Sequence, residues 1–92
     1  MLTLDTTISI PDTVFVQTVD DETIILHSIT QEYFSLNEVG GIFWEVLQDN
    51  PQLTQAYVVL KEHFDDAGTF QIEQDLLEFV EALEEKGLVK VV

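Results

Sequence analysis

The sequence predicts an α+β domain with a winged-helix-like outline: a three-stranded antiparallel meander followed by three helices, with residues for a short strand at the C-terminus. Two observations predict this order. Up to Leu36, β-favouring residues come in short runs that are separated by polar links. Beyond Leu36, apolar residues recur at the 3.6-residue spacing of helices. Because three strands cannot bury both faces alone, we expect the helices to cover one side of the sheet.

The 92 residues are enough for one small domain and leave no room for a second. Residues 1–12 lack a sustained hydrophobic period and include Pro11, so we expect a tail or an edge segment there. The single folded domain is then expected at 13–92.

The strands of the meander are expected at 14–19, 24–29 and 32–36. The first two are rich in β-branched residues, and the polar tetrapeptide DDET predicts a hairpin with a four-residue loop between them. Side chains alternate along a strand, so Tyr33 and Ser35 are expected on one face of the third strand and Phe34 and Leu36 on the other.

The first helix is expected to begin beside the third strand. Ser35 and Glu38 match an S-x-x-E capping box, and Asn37 is an alternative N-cap. The helix is expected to end at the pair Asn50-Pro51, because the residue before a proline is pushed out of the helical region.

Two glycines interrupt the apolar pattern of this first helix. Each costs about 1 kcal/mol relative to alanine in a helix interior. We therefore expect Gly40 to lie under the sheet, where a missing side chain allows close approach, with Trp44 filling the space beside it. The sequence assigns no role to Gly41.

The second and third helices follow. Thr54 is the expected cap of the second helix, and Thr69 opens the third, which runs over roughly 70–86 and ends at Lys86-Gly87. The apolar residues assigned to the second helix are Val58, Val59, Leu60 and Phe64. The apolar side assigned to the third helix consists of Ile72, Leu76, Phe79, Val80 and Leu83. The last residues, LVKVV, are expected to form the short terminal strand.

Composition excludes several classes of protein. The longest apolar run is far shorter than the ~18 residues of a membrane span. The N-terminus lacks the basic start of a secretory signal, so we expect a cytoplasmic protein. Cysteine is absent, which excludes a disulfide, a thiolate nucleophile and a cysteine-based metal site.

The charge is strongly negative. The chain has 18 acidic residues, three lysines and no arginine, for a formal net charge of -15. Such a field repels nucleic acid and anionic membranes, so we expect neither as a partner, although the winged-helix outline raises DNA binding as a rival function. The acidity either serves solubility alone or indicates a basic partner, and the sequence leaves both interpretations open.

Catalysis is not indicated. His27 lies on a predicted strand and is interpreted as a surface or edge residue. His63 lies near Asp65 and Asp66, but H-x-D-D at a helix end is too loose to be a metal signature. The phosphate-binding and nucleophile motifs of known enzyme classes are absent. We expect no catalytic residue, no metal and no cofactor.

A peptide-binding surface is the function that the residues favour. The last strand before the helices, at 31–36, is a candidate edge whose unpaired N–H and C=O groups an extended peptide can complete. If the third helix packs across this edge, strand and helix form two walls of a groove, with pockets between Tyr33 or Phe34 and Phe79. The alternative is that Phe34, Phe79 and their apolar neighbours are plain core residues.

The residues also resemble a known family. The runs YFSLNEVGGIFWEVL at 33–47 and DLLEFVEALEEKGLV at 75–89 are similar to the pyrroloquinoline quinone biosynthesis protein D family, whose domain is also called the RiPP precursor peptide recognition element. The shared pattern is an aromatic strand that runs into Leu-Asn-x-x-Gly, a first helix that contains Trp44, and a last helix that ends in Gly-Leu. The resemblance covers about residues 13–90. Gln31 stands where the family often has a turn glycine.

The resemblance implies a non-catalytic protein that captures the leader segment of a ribosomally synthesised precursor peptide, as in lasso peptide or PQQ-like pathways. It implies that the leader adds as a strand beside the third strand, against the third helix. It also implies presentation to a maturation enzyme such as a radical SAM protein, a leader peptidase or a cyclase. By position, the peptide-binding residues are Gln31, Glu32, Tyr33, Phe34, Ser35, Asp75, Leu76, Phe79, Val80 and Leu83.

Two further hypotheses stay open. The chain could be an acidic adaptor that binds a basic folded protein without any leader, in which case binding should decline steeply with salt. Two copies of the chain could also associate as a homodimer through the same exposed edge.

Overall fold

Two small antiparallel sheets and three helices make up the structure, a computed structural model that describes residues 2–20, 22–64 and 69–92. The elements in chain order are β1 (Ile8–Ser9), β2 (Val14–Val19), β3 (Glu22–His27), β4 (Tyr33–Leu36), α1 (Glu38–Asp49), α2 (Leu53–His63), α3 (Thr69–Glu85) and β5 (Lys90–Val91). The predicted α+β order is confirmed, with a three-strand meander, three helices after it and a short C-terminal strand.

The meander is a three-stranded sheet with the order β2-β3-β4. The four-residue loop predicted between its first two strands is wrong, because Val19 pairs with Glu22 and only two positions turn the chain. Asp20 adopts a φ of 55°, a left-handed conformation that Asp tolerates better than most residues. The two strands can therefore stay paired up to the turn itself.

The strand β4 lies at one edge of this sheet. It pairs with β3 from Leu26 opposite Tyr33 to Thr23 opposite Leu36. Within the part of the chain that the structure describes, no strand pairs with its other side. One edge of the meander is therefore open.

The C-terminal strand β5 pairs with the N-terminal segment and not with the meander. Ile8 lies opposite Val91, and Ser9 lies opposite Lys90. Ile8 is buried, and its backbone N–H donates to the carbonyl of Pro51 at 2.9 Å. The segment that precedes the meander thus contributes to the core.

Of the two caps considered for α1, the structure uses Asn37. Its side chain accepts a hydrogen bond from the backbone N–H of Gly40 at 2.9 Å, which satisfies one of the donors that a helix start leaves unpaired. The helix ends at Asp49 with Asn50 as its C-cap, so the end predicted from Asn50-Pro51 is confirmed.

The cap predicted for α2 is wrong. Gln52 is the N-cap, and its side chain accepts from the backbone N–H of Gln55 at 3.1 Å. Thr54 lies inside the helix, where its hydroxyl donates to the carbonyl of Leu4 at 2.7 Å. Thr54 does not cap the helix because it is the second helical residue, one position past the helix start.

The face predicted for α2 is partly wrong. Leu53, Ala56 and Leu60 are buried, whereas Val58 and Val59 are exposed. The earlier start of the helix brings Leu53 into the core, and residues three and seven positions later share its face. This phase turns the two valines towards solvent.

The end predicted for α3 is confirmed in detail. Gly87 has a φ of 73°, its N–H donates to the Glu84 carbonyl at 3.0 Å, and the N–H of Leu88 donates to the Leu83 carbonyl at 2.9 Å. This is a Schellman motif, and the two buried leucines supply its apolar contact. It turns the chain sharply back towards β1.

The core lies between the meander and the helices, with Trp44 fully buried. A Cβ on Gly40 would lie 3.2 Å from Leu36 Cδ2, at the end of β4, and one on Gly41 would lie 3.3 Å from Thr23 Oγ1 of β3. Both glycines thus allow the start of α1 to approach the sheet closely. Among the described residues, no helix combines the length and the apolar character that crossing a bilayer requires.

Candidate functional site

The open edge of β4 presents backbone groups to solvent. The N–H of His27 donates to the carbonyl of Glu32 at 2.9 Å, which marks these two residues as a hydrogen-bonded pair of the antiparallel ladder. Because such pairs alternate along the strands, the backbone groups of Tyr33 and Ser35 point away from β3. An extended chain can therefore pair with β4 at these two residues.

The helix α3 runs antiparallel to this edge, as two contacts show. Lys86 Nζ, just after the helix, lies 3.7 Å from Glu32 Oε2 at the start of β4. The rings of Phe34 and Phe79 meet edge to face in the middle, with centroids 6.3 Å apart. The space between β4, α3 and the start of α1 is called the groove below.

A cavity of about 350 Å³ lies at the far end of the groove. It is lined by Val39, Gly40, Phe43, Asp75, Glu78 and Phe79. The rings of Phe43 and Phe79 pack edge to face with centroids 5.6 Å apart and give it an aromatic wall. The cavity is broadly open to solvent, so an extended chain that lies along the groove can reach it.

The groove is acidic. Asp75 and Glu78 lie at the rim of the cavity, and Asp75 accepts a hydrogen bond from Gln71 Nε2 at 2.8 Å. Within the described ranges, the pair between Glu32 and Lys86 is the one ion pair. The carboxylates at the cavity thus have no cationic partner from the described part of the chain.

The ten predicted peptide-binding residues fall into two groups. Gln31, Glu32, Tyr33 and Ser35 are exposed, while Phe34, Asp75 and Phe79 are half-buried. Leu76, Val80 and Leu83 are fully buried in the core, so they support α3 from behind and offer a ligand no surface. Seven of the ten residues are therefore at least partly accessible to a ligand.

The turn before β4 contains a non-glycine residue with a positive φ, which is uncommon. Gln31 has a φ of 63°, so a non-glycine residue adopts the left-handed conformation at this point. Its backbone N–H donates to the His27 carbonyl at 2.8 Å. Gln31 therefore adopts a backbone conformation that glycine accommodates more readily.

The sequence reasoning missed the third wall of the groove. Val39, Gly40 and Phe43 of α1 line the cavity, and Glu78 joins Asp75 on α3. The signal was present, because only Asn37 separates β4 from α1, and so short a link must place the helix start beside the strand end.

The sheet also has an outer face, directed away from the helices. Register and alternation place Phe15, Leu26 and Tyr33 in one row across the three strands of this face. They are 58%, 40% and 63% exposed, and Val19 on the same face is 46% exposed. These four residues are called the outer apolar face, and contiguous patches of this kind mark interaction sites.

The two histidines lie apart. His63 is exposed at the end of α2, and its ring packs on Phe64 at 4.8 Å; its predicted acidic neighbours Asp65 and Asp66 lie outside the described residues. His27 is half-buried at the end of β3, and both of its ring nitrogens have hydrogen-bond partners. The described ranges contain no cluster of three or more residues that could hold a metal ion.

The chain is similar to proteins of a known family and to solved structures. The family of coenzyme PQQ synthesis protein D (PqqD) matches residues 22–89. The structure of TbiB1 in complex with the TbiA(beta) leader peptide is 30% identical, covers 87% of this chain and 92% of its own, and has a TM-score of 0.76.

A second solved structure, lasso peptide synthetase B1 complexed with the leader peptide, has the same fold. It is 19% identical, covers 90% of this chain and 96% of its own, and has a TM-score of 0.77. No curated protein sequence matches the chain.

Proposed function

The chain belongs to the family of coenzyme PQQ synthesis protein D, and from this premise we propose that it binds the leader segment of a ribosomally synthesised precursor peptide and presents it to a maturation enzyme. The observation that carries the proposal is the open edge of β4 beside α3. The similarity to TbiB1, which is named as a complex with a leader peptide, supports it.

Strand addition is the binding mode. The leader pairs with the outward backbone groups of Tyr33 and Ser35 and so extends the meander by one strand. Its side chains then alternate between the groove and the outer face. Backbone pairing accepts many sequences, so selection falls to the side chain that enters the cavity between Phe43 and Phe79.

Presentation requires a second surface, and the outer apolar face supplies it. Tyr33 belongs to both surfaces, since its backbone lies at the leader edge and its side chain lies on the outer face. A second copy of the chain is disfavoured there, because two bodies of net charge -15 repel each other. The occupant is a maturation enzyme with an apolar patch and a basic rim, and the chain itself acts as a binding protein without a catalytic step.

The test is a titration with synthetic leader segments. The probes are the leader of a precursor peptide, to be sought among the open reading frames that adjoin the gene of this chain, and the TbiA(beta) leader peptide. We expect saturable binding of the first at micromolar Kd or tighter, about -8 kcal/mol. Proline substitutions in the central stretch of the leader should abolish binding because they remove ladder donors, while prolines at its ends should not. Binding that tolerates central prolines would contradict strand addition.

The acidic adaptor remains the second candidate, favoured by the net charge and by the outer apolar face. It predicts that a basic folded protein binds in the absence of leader and that affinity falls steeply with salt. Leader binding through backbone pairing and an aromatic cavity should depend on salt much less. A salt series on both complexes separates the two functions.

A further inference from the structure

We infer that His27 is a positioning residue for the leader-binding edge, an inference that rests on the proposed function. The side chain of His27 lies at the end of β3 and holds the turn from which β4 starts. Its contacts involve three segments: the chain before β2, the turn itself and the first residue after the turn.

The ring nitrogens of His27 have distinct partners. Nδ1 lies 3.2 Å from the backbone nitrogens of both Ile29 and Thr30, and both are donors. Nδ1 must therefore be the unprotonated acceptor, and Nε2 carries the hydrogen. Nε2 lies 3.2 Å from Thr13 Oγ1, to which it donates. A neutral imidazole with its hydrogen on Nε2 is the state that satisfies all three contacts.

The backbone of His27 closes the same turn. Its carbonyl accepts from the N–H of Gln31 at 2.8 Å, and its N–H donates to the carbonyl of Glu32 at 2.9 Å. The turn must hold Gln31 at a φ of 63°, which an L residue adopts at a cost. The imidazole supplies two of the hydrogen bonds that offset this cost.

The position of β4 depends on that turn. β4 has only four residues, and the backbone groups that would receive a leader begin at Tyr33, two residues after Gln31. Glu32, between them, also carries the ion pair to Lys86 that spans the groove. A turn that loosens therefore moves both the first leader-pairing residue and one border of the groove.

Three variants separate positioning from packing. His27→Phe keeps a ring and removes all three side-chain hydrogen bonds. His27→Asn keeps an acceptor that can reach the backbone N–H groups two and three residues on, as Asn does in turns. Thr13→Val removes the Nε2 contact alone and is the matched control.

We expect His27→Phe to weaken leader binding about 10-fold, because two hydrogen bonds to the turn are lost, with circular dichroism unchanged. His27→Asn and Thr13→Val should stay within about twofold of the wild-type affinity, since each preserves an acceptor for the turn. The probe is the fluorescently labelled leader that binds the wild-type chain in the titration above. Equal affinities for the Phe variant and the wild type, or equal losses for Phe and Asn, would overturn the inference.

Amide exchange tests the same inference without any leader. In His27→Phe the N–H groups of Ile29 and Thr30 should exchange about 10-fold faster, and the NMR signals of Tyr33 and Ser35 should shift. In the wild type the imidazole ¹⁵N shifts should report a hydrogen on Nε2. Unchanged exchange and unshifted β4 signals would contradict a positioning role. A wild-type chain that binds no leader would defeat the proposed function, while the exchange data would still decide whether His27 holds the turn.

Discussion

Within the described residues, the two outer strands of the meander, β2 and β4, each have one edge that no other strand pairs, and these edges differ in what lies beside them. β4 faces α3 across an aromatic pair, Phe34 and Phe79, and ends at a cavity with aromatic walls. β2, at the opposite side, borders a cavity of about 260 Å³ beside α1. That second cavity is lined by Val16, Thr18, Thr23, Glu38, Gly41, Ile42, Trp44, Glu45 and Gln48.

The difference indicates that a peptide-binding site needs a pocket for a side chain as well as an open strand edge. Both edges offer unpaired backbone groups, but they differ in their aromatic residues: Phe43 and Phe79 pack edge to face at the β4 cavity, whereas Trp44 at the β2 cavity is fully buried. The lining beside β2 is about evenly divided between polar and apolar side chains, and it includes the carboxylates of Glu38 and Glu45. We therefore expect the leader at β4, and changes at the two edges should have unequal effects.

The largest effect should come from a proline at the β4 edge. Ser35→Pro removes an outward N–H and places a ring where the leader would lie, and this should weaken leader binding about 100-fold, at ~3 kcal/mol. The ladder to β3 does not use this N–H, so the fold should persist. Isothermal titration with the leader and a thermal melt measure the two quantities.

Thr18→Pro is the matched control on β2. The N–H of Ser28 donates to the Thr13 carbonyl at 2.9 Å, and alternation from this pair directs the Thr18 N–H outward from the sheet. Leader affinity should not change in this variant. A loss comparable to that of Ser35→Pro would mean that the leader uses the wrong edge or both edges.

The aromatic wall should give the next largest effect. Phe79→Ala removes one wall of the cavity that takes the leader's anchoring side chain, so leader affinity should fall about 10-fold. It also removes the edge-to-face contacts to Phe34 and Phe43, each of about 0.5–1.5 kcal/mol beyond area burial, so the melting temperature should drop. Phe15→Ala, on the outer apolar face, deletes the same side chain away from the groove. It should leave leader affinity unchanged; if it weakens binding as much, selection does not reside in the cavity.

The asymmetry of the two edges could be predicted only in part. Helical periodicity located Leu76, Phe79 and Leu83 on one side of α3, and the order of elements made β4 an edge strand. Periodicity reports which residues face the core, but it does not report which neighbours meet across space. The aromatic contact between Phe43 and Phe79 and the cavity beside it depend on the angle at which α1 leaves β4.

Contacts between segments that are far apart in the sequence, together with backbone conformation, explain the other differences from the sequence predictions. Thr54 has the chemistry of a cap, yet its hydroxyl bonds to Leu4, far away in the chain. The loop between β2 and β3 is short because Asp20 accepts a left-handed backbone. His27 has no sequence signal for its role, because its partners become visible only when the turn is closed.

Charge should contribute less than the aromatic wall. The test uses a leader that carries Lys or Arg beside the side chain that enters the cavity. The double variant Asp75→Asn with Glu78→Gln should weaken the binding of this leader about fivefold, because exposed ion pairs contribute about 0.2–1 kcal/mol each. The matched control, Glu38→Gln with Glu45→Gln, removes the same charge from the cavity beside β2. Titrations at low and high salt measure both. Equal losses in the two variants would assign the effect to net charge and not to the groove.

The smallest effect should appear at the turns that lead into the strands. In the wild type, the left-handed conformation of Gln31 costs about 1–2 kcal/mol, and Gln31→Gly removes this cost. Glycine in turn loses more conformational entropy on folding, which costs about 0.5–1 kcal/mol. The free energy of unfolding should therefore rise by about 0.5–1 kcal/mol, or roughly 2–8 °C in melting temperature. Asp20→Gly is the control with a similar φ of 55°, and it should change stability less because Asp tolerates this conformation better than Gln. If the free energy of unfolding rises equally in the two variants, the backbone of Gln31 is no more strained than that of Asp20. The turn before β4 is then held no more tightly than the turn between β2 and β3.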